Sequence, residues 1–167
     1  MKSENVIMTG MPGAGKSTIG VLLAKRLGLS FTDTDIVIQT RTAKSLHAII
    51  VEEGASAFRR LEEDTILNLD LHGHVIATGG SVVYSEAAMT HLVRNGKCVF
   101  LDVCLTELER RLGDIDARGV VRAPGQTLAG LYDERLPLYR RWAEVVVDCC
   151  EKSMEDIIED ILARIQG

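Results

Sequence analysis

The chain has 167 residues, 46% of them apolar and 26% charged, with a net charge of −5. That balance excludes a disordered or fibrous protein and predicts one folded domain over residues 1–167 with a real hydrophobic core. The negative charge excludes nonspecific attraction to nucleic acid or to an anionic membrane, surfaces that select lysine and arginine excess.

Residues 1–4 run into an apolar stretch too brief for a signal peptide, and no later run would span a bilayer. Cys98, Cys104, Cys149 and Cys150 form no CxxC pair and have no histidine at metal-ligand spacing. Neither zinc nor a disulfide is therefore expected, and the chain reads as a cytoplasmic monomer.

Strand-length apolar runs alternate with helical stretches, the pattern of an α/β domain with a parallel sheet. The first strand spans Asn5–Thr9, and a glycine-rich turn leads into a helix from Lys16 to Leu27 that Gly28 terminates. A second strand follows over Leu29–Thr32, then short helices around 35–40 and 45–53. A longer helix starts near Ala55, with Phe58, Leu61, Ile66 and Leu69 at helical spacing. His74–Thr78 reads as the third strand, and Ser85 as the N-cap of a helix closed by Asn95-Gly96. A fourth strand is expected over Cys98–Val103. Thr106 and Glu109 have capping-box spacing for the helix that runs to Leu112. Residues 113–126, with three glycines and a proline, predict a mobile lid. Helix resumes over 127–142, a fifth strand occupies 145–148, and Ser153 opens a closing amphipathic helix ending near Ile165.

Gly10-Met11-Pro12-Gly13-Ala14-Gly15-Lys16-Ser17 is a full G-x-x-x-x-G-K-[ST] match between a strand and a helix. Such a loop wraps a polyphosphate with inward N–H groups, and the helix N-terminus adds partial positive charge. Gly13, Ala14, Gly15, Lys16, Ser17 and Thr18 are thus the expected ATP contacts. Lys16 would neutralise charge on the β- and γ-phosphates and Ser17 would ligate Mg²⁺. No N-K-x-D segment is present, which argues against a guanine-specific switch; the length leaves no room for a motor's extra domains. A small kinase is the economical reading.

Asp33-Thr34-Asp35 falls at the carboxyl end of the second strand, where ligands of open parallel sheets gather. One aspartate can orient Mg²⁺ and the other can hold and deprotonate an attacking hydroxyl. The purely structural alternative is a turn in which Asp35 caps the next helix.

Asp33-Thr34-Asp35, Phe58-Arg59-Arg60-Leu61-Glu62, Thr78-Gly79-Gly80 and Arg135-Leu136-Pro137-Leu138-Tyr139 follow the P-loop in the order seen in shikimate kinases. The chain resembles that family over essentially its whole length. The resemblance implies a three-layer fold with a five-stranded parallel sheet, ATP on the P-loop, and an acceptor pocket over the second and third strands under a closing lid. It implies that Asp35 activates the acceptor hydroxyl, that Asp33 stands near Mg²⁺, and that Arg59 and Arg135 bind the acceptor carboxylate. Gly79 and Gly80 would offer backbone contacts, and Arg118 would reach over the phosphates from the lid.

A guanidinium can meet a carboxylate with two parallel hydrogen bonds, which agrees with an anionic acceptor. Two departures bear on that acceptor. Ser81 stands where the family usually has a third glycine, and the lid carries Arg118-Gly119-Val120-Val121-Arg122 rather than Arg-Pro before two apolar residues. Shikimate is the expected acceptor. Homoserine is the alternative within the same mechanism, and a regulator that binds nucleotide without turnover is the alternative from another class.

Overall fold

The computed structural model describes residues 4–113 and 119–166. Five parallel strands, β1 (Asn5–Thr9), β2 (Ser30–Asp33), β3 (His74–Ala77), β4 (Gly96–Asp102) and β5 (Val145–Asp148), form one sheet in the order β2-β3-β1-β4-β5. β1 is buried along its whole length, as the central strand of a sheet covered on both faces must be. Because β1 is flanked by β3 and β4, the chain reverses direction across the sheet at its carboxyl end, where ligands of such sheets bind.

Helices α1 (Lys16–Leu27) and α8 (Met154–Ile165) pack together, α1 against β3 and α8 against β5. Elsewhere α5 (Glu86–Val93) and α7 (Leu128–Trp142) contact β4. The main core joins β1, β3 and β4 to these helices and includes the stacked Phe100–Tyr139 pair, 5.1 Å between centroids. A second, smaller core, Ile38, Ile49, Phe58 and Val121, lies among α2 (Thr34–Thr42), α3 (Leu46–Glu53) and α4 (Ala55–Leu67). Val121 belongs to the described part of the 113–126 segment, which thus contributes to this core and, through Gly119, Val120 and Val121, lines the cavity at the carboxyl edge of the sheet. Its described part, 119–126, forms neither helix nor strand.

Ser85 and Ser153 cap their helices through the side-chain oxygen as expected, and Ser45 and Thr127, read from the sequence as first helical residues, cap theirs in the same way. Other expectations are corrected. Asp33, not Asp35, caps α2, because its Oδ1 lies within reach of the N–H groups of Asp35 and Ile36. The capping box at Thr106 does not form. Helix α6 (Leu105–Leu112) starts two residues earlier with Cys104 as N-cap, and the Thr106 hydroxyl faces Cys104 Sγ at 3.7 Å. Leu69 lies beyond the end of α4.

The expected absence of a disulfide is also corrected: Cys104 and Cys150 are bonded. The cause is long-range register. β4 and β5 are neighbours with Asp102 opposite Asp148, and each cysteine stands two residues beyond its strand, so the fold brings their Cα atoms to 5.6 Å. Cys98 and Cys149 are buried free thiols, pushed up to about 11 and about 12 by burial.

Candidate active site

A cavity of about 750 Å³ opens at the carboxyl edge of the sheet. The P-loop supplies one wall. Gly13 at φ 79° and Gly15 at φ 93° occupy the left-handed region that a side chain disfavours, which lets the loop turn between β1 and α1. The first turn of α1 holds no acidic residue of its own. Gly13, Ala14, Gly15, Lys16, Ser17 and Thr18 all line the cavity.

Lys16 Nζ donates to the carbonyls of Gly10 (2.8 Å) and Met11 (2.9 Å). Burial lowers its pKa to about 8, against the opposing field of Asp35. The Ser17 hydroxyl donates to Asp33 Oδ2, while Asp33 Oδ1 caps α2. One aspartate thus fixes the start of α2 and presents an oxygen pair with Ser17 beside the P-loop. Hard oxygen donors of this kind suit Mg²⁺.

The part of the cavity away from the P-loop is lined from α2, α4, α7 and the turn after β3. Asp35 lines it, and its Oδ1 is buried without a hydrogen-bond partner. Burial, then the Asp33 charge, raises Asp35 to about 6. Gly79 must lack a side chain: a Cβ there would stand 2.4 Å from Glu62 Oε1 and 2.9 Å from Asp35 Oδ1. At Gly80 a Cβ would meet Arg135 Nη1 at 2.8 Å and the Pro12 ring at 3.0 Å. The backbone of this turn is itself anchored, since Gly79 N–H donates to Thr34 Oγ1 and Gly80 C=O accepts from Tyr139 Oη at 2.6 Å.

Arg135 is 1% exposed. Its guanidinium donates to Val121 O and, at 3.3 Å, to Tyr84 Oη. Arg59 is not brought into the cavity; it is exposed on α4 with Cζ 4.1 Å from the Tyr84 ring centre, on the ring that also faces Arg135 at 5.3 Å. Ser81 lines the cavity, but its hydroxyl is turned to Glu62. Arg118 lies outside the described residues.

Two contributors had no assigned role from the sequence. Glu62 is 2% exposed at the cavity wall, and burial raises it to about 7. It falls four residues after Phe58 and four before Ile66, and an acid on that apolar stripe was the available signal. Arg111 on α6 lines the nucleotide side, donating to Gly13 O at 3.2 Å and to Glu107. Nothing local distinguishes it from the exposed Arg110 beside it.

A polyphosphate cradle with an adjacent oxygen pair, and a cavity beside it lined by Asp35, Glu62 and the buried Arg135, define a P-loop phosphotransferase of the small-molecule type. The comparisons narrow the class. The family model described as "Shikimate kinase" matches residues 12–166. The shikimate kinase of Pseudomonas entomophila (strain L48) is 39% identical over 98% of this chain and 96% of its own length. That of Mycobacterium bovis (strain BCG / Pasteur 1173P2) is 36% identical over 98% and 94%. The solved shikimate kinase from Acinetobacter baumannii, in complex with shikimate, superposes with a TM-score of 0.90 at 29% identity, covering 98% of this chain and 93% of that one. The chain belongs to the shikimate kinase family, ATP-dependent kinases that phosphorylate a hydroxyl group.

Proposed function

We propose that this chain transfers the γ-phosphoryl group of ATP to the 3-hydroxyl of shikimate, acting as a single domain and a monomer in the cytoplasm. The observation that carries the reading is the placing of Arg135 and Asp35 with the P-loop in one cavity. The acceptor carboxylate meets Arg135, whose present hydrogen-bond partners are neutral oxygens. Arg59 swings from Tyr84 to assist at the rim.

Asp35 Oδ1, free of other partners, accepts the attacking hydroxyl and takes its proton as the new O–P bond forms. The bond from the γ-phosphorus to the bridging oxygen breaks, and ADP leaves with that electron pair. Lys16 moves from the Gly10 and Met11 carbonyls onto the phosphates. Ser17 and Asp33 would hold Mg²⁺, which would supply neutralisation of phosphate charge. Arg118 reaches over the phosphates, and the 113–126 segment excludes water.

An ADP-release assay with Mg-ATP and shikimate, homoserine, gluconate or a nucleoside monophosphate tests the acceptor. Strong preference for shikimate supports the reading, and preference for homoserine overturns it. K16A should lose turnover by about a thousandfold if Lys16 acts on the transferred group.

A further inference from the structure

Ser81 is buried at 5% exposure, and its Oγ donates to Glu62 Oε2 at 2.6 Å. The other oxygen, Glu62 Oε1, is buried and without a hydrogen-bond partner, as is Asp35 Oδ1. Both orphan oxygens converge on the same spot above Gly79. A buried acceptor atom left unpaired is costly unless a ligand supplies the donor. Two side by side at the cavity wall fit an acceptor with two neighbouring hydroxyls better than one with a single hydroxyl.

We propose that Ser81 is a positioning residue of the acceptor pocket: its hydroxyl locks the Glu62 carboxyl so that Oε1 faces the cavity beside Asp35 Oδ1 and receives a second acceptor hydroxyl. The proposal deepens the acceptor reading above and rests on it. Without Ser81 the carboxyl is free to rotate and loses a hydrogen bond that favours its charged form. The groups that act on Glu62 are Asp35 from α2, Arg135 from α7, Arg59 from its own helix and Lys16 from the P-loop. Burial raises its proton affinity, and the Ser81 bond opposes that rise.

The test uses S81A, S81G, E62Q and the S81A/E62Q double variant. Calorimetric shikimate affinity should fall about tenfold in S81A and S81G at pH 7, and by less at pH 8.5, where Glu62 is ionised without help. In the E62Q background the same S81A change should cost little, because the carboxylate it serves is gone. A carboxyl-selective NMR titration without acceptor or nucleotide separates this proposal from the identity of the acceptor: the Glu62 midpoint should rise in S81A. An unchanged midpoint, or an equal loss of affinity with and without Glu62, overturns the positioning role whatever the acceptor proves to be. ADP affinity and melting temperature verify that each variant is folded.

Discussion

Arg135 Nη2 donates to the carbonyl of Val121, joining the buried guanidinium to the stretch Gly119–Val121 that lines the same cavity. Val121 is itself buried in the small core with Ile38, Ile49 and Phe58. On the function proposed above, an acceptor carboxylate arriving at Arg135 would meet a cation already hydrogen-bonded to Val121. Lysine keeps the charge and cannot span both partners. R135K should raise the KM for shikimate by about 10- to 100-fold with a smaller effect on the KM for ATP. Equal effects on both substrates would place Arg135 outside the acceptor pocket.

Activity should trace a bell against pH. Asp35, held at about 6 by burial and Asp33, must be ionised to accept a proton, and Lys16, lowered to about 8 by burial, must be charged to meet phosphate. The acid limb of kcat/KM for shikimate is expected near pH 6, and the alkaline limb of kcat/KM for ATP near pH 8, since this ratio reports the free enzyme. A profile flat from pH 5 to 9 would remove both groups from the chemistry.

What could be read before folding was what sits in consecutive residues. The P-loop carries its strand, turn and helix within about fifteen positions, and Asp33 and Asp35 follow at a strand end. The five strands were legible because each is apolar throughout or bounded by turns. What escaped depends on contacts between distant segments. Glu62 is an ordinary acid until the Gly79 turn and Ser81 close over it. Arg59 looked equivalent to Arg135, yet both lie over the Tyr84 ring and only burial separates them: Arg135 is enclosed at the cavity wall, and Arg59 is exposed on α4. The disulfide has its origin in the pairing of β4 with β5.

Glu62 links the pocket to stability. Its pKa rises on folding from 4.5 to about 7, so the native state binds the proton more tightly than the unfolded chain. Stability from this group is therefore full below pH 4.5 and is lost as pH climbs through 7. E62Q removes the buried charge while keeping an oxygen for Ser81. It should be more stable than the parent by about 2–3 kcal/mol at pH 8, with the gap closing below pH 4.5, as measured by urea unfolding across pH. A gap independent of pH would mean that packing, not ionisation, sets the difference.

The Cys104–Cys150 bond closes a 46-residue separation and ties together two segments of the cavity walls. Cys104 caps α6, which carries Arg111 and Leu112 to the cavity, and Cys150 stands just before Lys152 and Met154, which also line it. Loop-closure entropy for that span gives about 4 kcal/mol of stabilisation. C104S/C150S should therefore melt on the order of 10 °C lower than the oxidised parent, and treating the parent with a dithiol reductant should reproduce the loss. Titration of the unfolded, non-reduced parent should find two thiols, Cys98 and Cys149, out of the four cysteines. Because the bond acts on the walls rather than on the acceptor pocket, ADP affinity should fall severalfold with reduction while shikimate affinity holds. Four titratable thiols in protein purified without reductant would show the bond to be open in solution, and then reduction should change neither the melting temperature nor ADP binding.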